Sequence, residues 1–268
     1  MAESKIQNFN HLKIHSQFSI CEGAVKLDDL KDFSKDNKVK SLALCDTSNL
    51  CGALEFSEKI SKLGTQPIIG TQINFKYGDV IGLLPLFALS EKGYRKIIEL
   101  SSLSFLKNKT ILEPHLNFEE LLNTNDGVAV FSGTVHGFFG QLFDLGKFPE
   151  ITELYSKLKS KFNDKFYLEI QRHGDLNEVG FEKFNLSKSL ELEIPLIATN
   201  EVFYLTKDMH EAHDALICIK NKTYINEKNR KKLTDQHYFK NDDEMSSLFA
   251  DLPEALKNNY NFPYRCSF

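Results

Sequence analysis

The chain has 268 residues, a length that accommodates one large α/β domain. Its 33 Lys+Arg against 37 Asp+Glu give a formal net charge of −4, which excludes the overall cationic field that nonspecific duplex binding requires. Hydrophobic residues make up 41% and charged residues 26%, a balance typical of a globular protein and not of a disordered or membrane chain.

Short apolar segments alternate with longer amphipathic ones, a pattern typical of βα units that build a parallel sheet or barrel. Seven segments are predicted to be strands: 12–15, 41–45, 67–75, 80–88, 127–132, 166–171 and 195–199. The spacing of apolar residues between them predicts helices over 27–34, 53–63, 93–106, 151–162 and 178–192. Seven strands with crossover helices predict an irregular barrel.

The chain changes character after Tyr204. We predict helices over 208–219, 242–249 and 253–259, and a polar, solvated stretch over 220–235. We interpret residues 1–268 as one domain, with a barrel over about 8–205 and a helical extension over about 206–268. We expect this domain to be a fragment of a longer chain.

The cysteines and the apolar runs indicate the compartment. Five widely spaced cysteines with no CxxC pair predict reduced thiols, mostly buried, rather than disulfides or a zinc knuckle. The N-terminal pentapeptide Met1–Lys5 lacks a signal-peptide core, and no apolar run approaches the ~20 residues that span a bilayer. We therefore expect a cytoplasmic protein with no membrane partner.

Polar residues cluster where the predicted strands end, which is where functional side chains gather in parallel βα architectures. His and carboxylate side chains at such ends would form a multinuclear metal centre if they converged. Spacing alone is a weak signal, because a single His at a strand end is more often a hydrogen-bonded structural residue. The residues in question are His15, Asp46, Thr47, Gln72, Thr134, His173, Glu201 and Phe203.

Six segments, residues 11–19, 42–52, 67–70, 166–174, 197–202 and 212–216, together resemble one family. In their order and spacing they are similar to the N-terminal PHP (polymerase and histidinol phosphatase) domain of bacterial DNA polymerase III alpha subunits. The resemblance covers nearly the whole chain. It implies a distorted seven-stranded (β/α)7 PHP barrel with a C-terminal helical extension, whose metal-competent members bind up to three divalent ions at the strand ends.

This sequence departs from the metal-competent pattern of that family. The substituted positions are Lys13 in place of the first His of H-x-H, Thr47 and Leu83 in place of His, Gln72 in place of Glu, Thr134 in place of Cys, and Phe203 in place of the final His. The residues that remain usable as ligands are His15, Asp46, His173 and Glu201.

A catalytic metal ion needs about three protein ligands and an open water position, so these losses predict a degenerate metal site. An ammonium at position 13 would repel a divalent cation. We predict instead that Lys13 replaces the metal charge in a structural ion pair with Asp46 and Glu201. No catalytic residue, metal or other cofactor is therefore expected in this domain, and Mg²⁺ would belong to a polymerase palm outside it.

The leading hypothesis, implied by the resemblance, is a noncatalytic scaffold in DNA replication. It would stabilise the polymerase alpha subunit through its remaining domains, dock the proofreading exonuclease subunit, and meet DNA only indirectly. The parent chain would be a DNA-directed DNA polymerase, a nucleotidyltransferase, whereas this segment has no palm-like Asp-x-Asp motif and is expected to be inactive alone.

The alternative is an active metal-dependent phosphoesterase or 3′-5′ exonuclease that uses Zn or Mn at a reduced site of His15, Asp46, His173 and Glu201. A free-standing histidinol-phosphatase-like enzyme is a weaker hypothesis, because it would need the missing histidines.

Several other residues have simpler interpretations. We assign surface or packing roles to His11, His136, His210 and His237. Phe138 and Phe139 are predicted to form an exposed apolar contact, and Cys51 is treated as a buried apolar residue like Cys45.

Overall fold

A computed structural model describes residues 9–107, 113–124, 126–230 and 232–267. The Met1–Lys5 segment and the start of the predicted barrel at residue 8 lie outside the described residues. Within the described ranges, one sheet contains the strands β1 (Lys13–Ile14), β2 (Ser41–Thr47), β3 (Gln66–Tyr77), β4 (Val80–Ala88), β5 (Leu116–Asn117), β6 (Val128–Phe131), β7 (Phe166–Ile170), β8 (Leu196–Ala198) and β9 (Glu201–Val202).

Helices pack against the outer face of this sheet, and further helices follow it in the chain. They are α1 (Leu27–Asp36), α2 (Ala53–Ser61), α3 (Glu91–Leu106), α4 (Phe118–Leu122), α5 (Phe138–Asp144), α6 (Phe148–Phe162), α7 (Glu178–Leu192), α8 (His210–Asn221), α9 (Asp242–Leu248) and α10 (Pro253–Asn261). None of the helices in the described ranges is both long enough and apolar enough to cross a membrane.

The last strand closes the sheet into a barrel. The order across the sheet is β8-β7-β6-β4-β3-β2-β1-β9, with β5 beside β3. Only Thr199 and Asn200 separate β8 from β9, so these are two halves of one strand. The first half pairs with β7 and the second with β1. A ring of seven strands results, with β5 outside it, which confirms the barrel predicted from the sequence.

One strand runs against the others. β4 is antiparallel to both neighbours, β3 and β6, whereas the alternating pattern predicts parallel units throughout. The cause is a two-residue connection, Gly78 and Asp79, between the paired residues Tyr77 and Val80. Gly78 has φ +58°, the left-handed conformation that such hairpin turns require.

Each strand of the ring buries both faces, as β2 illustrates. Leu42 and Leu44 pack outward against the apolar faces of α1 and α2. The intervening Ala43 and Cys45 face inward and share a cluster with residues of other strands. Because side chains alternate between faces along a strand, a continuous apolar run fills the interior and the helix interface together.

The C-terminal extension contributes to the barrel core. Phe262, which follows α10, packs on Phe87 and Phe131 in the interior cluster. The Asn259 side chain donates hydrogen bonds to the carbonyls of Asn10 and Ala198. The barrel and the extension therefore share one hydrophobic core.

Two minor predictions are wrong. Phe138 and Phe139 are fully buried because they begin α5, a helix too short for its periodicity to show in the sequence, and pack on Phe118 and Tyr155. All five cysteines are free thiols, but Cys51 is exposed rather than buried.

Candidate functional site at the barrel mouth

The parallel strands end together at one end of the ring, which we call the mouth. A cavity of about 190 Å³ opens there. Five of the residues singled out in the sequence line it: Gln72, Leu83, Thr134, Glu201 and Phe203. Leu83 reaches the cavity from within β4, opposite Asn74 of β3.

Lys13 lies at the floor of the mouth and is completely buried. Its Nζ is 3.1 Å from Oε1 of Glu201 and 3.6 Å from Oε1 of Glu169. Opposite charges hold the three groups together. Lys13 and Glu201 are brought face to face because they are register partners in β1 and β9.

The electrostatics of this triad are unequal. Burial alone lowers the pKa of Lys13, but the carboxylates of Glu169 and Glu201 outweigh it and raise that pKa above its ordinary value. Burial likewise works to raise the pKa of Glu201, yet Lys13 and His15 hold it well below the usual range. For Glu169 burial prevails over Lys13, and its pKa is raised. Lys13 and Glu201 therefore form the charged pair, and Glu169 is the less stable anion.

Glu201 is the centre of the polar contacts at the mouth. Besides Lys13, its Oε1 contacts Nε2 of His15 at 3.1 Å and accepts a hydrogen bond from Nε2 of Gln72 at 3.0 Å. The ring of His15 also stacks on Phe203, with 4.7 Å between centroids. The carboxylate of Glu201 thus contacts three other positions that the sequence analysis selects, Lys13, His15 and Gln72.

Asp46 does not take part in this network, which differs from the predicted ion pair. Its carboxylate accepts hydrogen bonds from the backbone N–H of Ser16 and from the hydroxyls of Ser16 and Ser19. These bonds hold the loop after β1 in place. The second carboxylate beside Lys13 is therefore that of Glu169 and not that of Asp46. Thr47 donates its backbone N–H to Ser19 Oγ.

Sequence reasoning misses Glu169 as a site residue, although a carboxylate inside an apolar strand is a signal for a buried charge.

His173 is held from both sides. Its Nδ1 lies 3.1 Å from Oε1 of Glu178, and its Nε2 accepts the backbone N–H of Glu201 at 3.1 Å. Burial lowers the pKa of His173 to about 3, so the ring is neutral. It stacks on His237 with 4.1 Å between centroids and 4° between planes. His237, treated in the sequence as a surface or packing residue, is buried and lines the cavity.

Three other histidines that the sequence analysis names make separate contacts. His136 forms part of the cavity rim, where its Nε2 is 2.8 Å from Oδ2 of Asp175. His210 contacts the hydroxyl of Tyr204, and His11 is fully buried, with Nε2 at 2.8 Å from the carbonyl of Lys240.

The geometry does not fit a multinuclear metal centre. Asp46 spends both carboxylate oxygens on serines, and both nitrogens of His173 have partners. The ammonium of Lys13 occupies the neighbourhood of the Glu201 carboxylate. In the part of the chain that the structure describes, no group of three or more His, Cys, Asp or Glu side chains is arranged to hold a metal ion.

Comparisons with known proteins agree on one family. A model of the PHP domain matches residues 11–173. The DNA polymerase III subunit alpha of Caulobacter vibrioides is 34% identical over 281 residues, covering 100% of this chain and 24% of that protein. Its counterpart from Rickettsia felis is 37% identical over 262 residues, with coverage of 97% and 22%. The chain thus spans less than a quarter of the length of these relatives.

Among solved structures, an amidohydrolase from Chromobacterium violaceum is similar at a TM-score of 0.46 and 12% sequence identity. The match covers 72% of this chain and 87% of that one. A likeness at this level supports no inference about activity.

Proposed function

Because the chain belongs to the PHP domain family and is similar to DNA polymerase III alpha subunits along 97–100% of its length, we propose that it is a noncatalytic scaffold in a replicative polymerase. In this role it stabilises the alpha subunit and docks the proofreading exonuclease subunit. The nucleotidyltransferase activity would belong to the parts of the alpha subunit that this chain does not match. On the same grounds, we place it in the cytoplasm.

The observation that carries this proposal is the buried ammonium of Lys13, 3.1 Å from Oε1 of Glu201. Metal-dependent hydrolysis requires about three ligands and an open position where water is activated. A fixed positive charge at the floor of the mouth disfavours a second cation beside it, since like charges at short range repel strongly in a buried site. The ammonium of Lys13 instead supplies the positive charge that a metal ion would bring to this site.

Exposed apolar side chains beside the mouth support a docking role. The loop after β1 is held against α8 by Lys220 Nζ, 3.0 Å from Oε2 of Glu22, and by His213 Nε2, 2.7 Å from the carbonyl of Glu22. We call four exposed residues of these segments the mouth patch: Ile20, Ile219, Tyr224 and Ile225, which are 80%, 69%, 76% and 57% exposed. Exposed apolar side chains on neighbouring segments are what a protein contact would use.

The test is a pull-down and calorimetric titration with the cognate exonuclease subunit, alongside hydrolysis assays on p-nitrophenyl and 3′-terminal phosphodiester substrates. We expect binding without hydrolysis. Ile219→Asp in the mouth patch should weaken binding. Leu190→Asp is the matched control, because Leu190 is also an exposed aliphatic residue but lies near the C-terminal end of α7.

The alternative function is an active metal-dependent phosphoesterase or 3′-5′ exonuclease, which the presence of His15, Asp46, His173 and Glu201 near one end of the barrel favours. It requires a rearrangement that frees these side chains from their present partners. Stoichiometric Zn or Mn in protein purified without chelator, with hydrolysis that chelation abolishes, would establish the alternative and overturn the scaffold.

A further inference from the structure

The Glu201 carboxylate is the part of the charged triad that reaches the mouth cavity. Its side chain is 12% exposed and lines the cavity, whereas the side chains of Lys13 and Glu169 have no exposed surface. Its contacts with Lys13, His15 and Gln72 all fall on Oε1. A carboxylate has about four lone-pair sites, so Oε2 retains capacity for a hydrogen bond from a group in the cavity.

The charges around the cavity select a neutral donor. Lys13 already neutralises Glu201 at 3.1 Å, and a second cation beside that ammonium is disfavoured. Against the effect of burial, Lys13 and His15 hold the pKa of Glu201 well below the usual range, so this carboxylate is anionic and repels an anion. Elsewhere in the wall, Lys220 pairs with Glu22 and the two add no net charge. The group that fits is therefore an uncharged O–H or N–H.

The walls and the volume of the cavity suit a single large side chain. Four apolar residues from separate segments of the chain line it: Leu83, Phe203, Ile217 and Leu233. Its volume of about 190 Å³ is several times the roughly 30 Å³ of one water and lies below the roughly 300 Å³ at which small-molecule sites begin. The occupant is therefore mostly apolar, and it is smaller than an ordinary metabolite.

The cavity opens beside the mouth patch. Ile217 in its wall and Ile219 of the patch are two residues apart on α8. Glu22 in its wall likewise follows Ile20 of the patch in the loop after β1. A protein that rests on the mouth patch therefore lies next to the cavity entrance.

Protein contacts supply a side chain of the required kind. The residues that dominate such contacts fill desolvated pockets, and they are most often Trp, Tyr and Arg. The guanidinium of Arg is excluded by its charge. Trp and Tyr each combine an apolar ring with one neutral donor, which needs an acceptor when it is buried. Oε2 of Glu201 is such an acceptor.

We propose that the mouth cavity receives one tyrosine or tryptophan side chain of the protein that docks on the mouth patch. The ring lies against the apolar wall of Leu83 and Phe203, and its O–H or N–H donates to Oε2 of Glu201. This inference rests on the proposed docking function and names a contact that makes it. The chemistry of the cavity is measured without the partner, so a failure of the inference is distinguishable from a failure of the docking function.

The direct test is an NMR titration of the 268-residue chain with p-cresol, which has the ring and the hydroxyl of tyrosine and is neutral at pH 7. We expect saturable shifts in the methyl signals of Leu83, Ile217 and Leu233. Toluene lacks the hydroxyl and should bind at least about tenfold more weakly, because the hydrogen bond to a charged acceptor is lost. The anion 4-methylbenzoate should not bind. No saturable shift with p-cresol, equal binding of toluene, or binding of 4-methylbenzoate overturns the proposal.

Substitutions in the apolar wall separate the cavity from general effects on the fold. Leu83→Trp fills the cavity from β4 and should abolish p-cresol binding, whereas Leu83→Met keeps a similar volume and should retain it. Leu233→Trp blocks the cavity from a different segment, so the test does not depend on the folding of one variant. Unchanged p-cresol affinity in a folded blocking variant would contradict the assigned site.

The exonuclease pull-down then tests the occupant. If Leu83→Trp loses exonuclease binding while Leu83→Met keeps it, the inserted side chain belongs to that partner. If Leu83→Trp binds the exonuclease as well as the unsubstituted chain does, the docked protein leaves the cavity empty and this inference is wrong, although the scaffold function stands. If the unsubstituted chain does not bind the exonuclease, the docking function fails and the assignment to a docked side chain fails with it.

Discussion

Replacing Lys13 by Met tests the central feature of the mouth. The substitution keeps an unbranched side chain of similar length and removes the ammonium, so Glu201 and Glu169 lose their buried countercharge. Breaking a buried pair in this way costs about 3–5 kcal/mol. For a domain of this size, about 2–3 °C per kcal/mol converts that loss into a melting temperature lower by roughly 6–15 °C, which calorimetry measures.

A surface pair gives the matched control. Lys92 pairs with Asp126 where both side chains are exposed, and Lys92→Met should change the melting temperature little because solvent screens such pairs. A second variant tests the cause. Adding Glu201→Gln to Lys13→Met should restore much of the loss, since it removes the stranded charge.

The pH dependence separates charge from packing. In the native chain the pKa of Glu201 lies well below its ordinary 4.5, so its contribution is present above pH 4.5 and disappears only as the pH falls through the folded-state pKa. Without Lys13 that pKa rises, and protonation relieves the stranded charge in acid. The difference in melting temperature should therefore narrow from pH 8 to pH 5. A difference near zero, or one that is constant with pH, would refute the reasoning.

Three further changes are expected to have distinct effects. Lys13→His should not bring stoichiometric Zn or Mn on elemental analysis, because Gln72 still stands where an acidic ligand is needed. Burial raises the pKa of Glu178 to about 7, so its contribution to stability is complete below pH 4.5 and is lost as the pH rises through 7. Between pH 5 and 8 the free energy of unfolding of Glu178→Gln should therefore fall less than that of the unsubstituted chain, by on the order of 1–2 kcal/mol, which denaturant titration measures. Arg172→Lys should reduce hydrogen-exchange protection in α9 and α10 about tenfold, because an ammonium cannot replace the two parallel bonds to Asp251.

The strands could be predicted because a short apolar run bounded by turn residues indicates a buried strand. Strand direction could not be read in the same way, since a strand has the same period of two whichever way it runs. The gap of only four residues between the predicted strands 67–75 and 80–88 was the available signal. A parallel crossover needs a dozen or more residues, so β4 had to turn back on β3.

The contents of the mouth were harder to predict than its position. Lys13 and Glu201 follow from strand ends, but the choice between Asp46 and Glu169 as the second acid depends on where Ser16 and Ser19 place their hydroxyls. His237 lies outside any strand, in an irregular segment that crosses the mouth, and no periodicity marks such a position. Loop packing of this kind is decided by tertiary contacts, which a local pattern does not contain.

The ring of strands is completed by few main-chain bonds, since the final strand gives three residues to β7 and two to β1. The buried side chain of Asn259 donates hydrogen bonds to the carbonyl of Ala198 in β8 and to that of Asn10, which precedes β1, and Phe262 packs in the interior cluster. A chain truncated after Leu205 would lose both side chains. We expect the barrel to open between β8 and β9 in that chain, so that it does not fold as a shorter domain. Domain swaps and fusion proteins built on this barrel should therefore transfer the extension together with it.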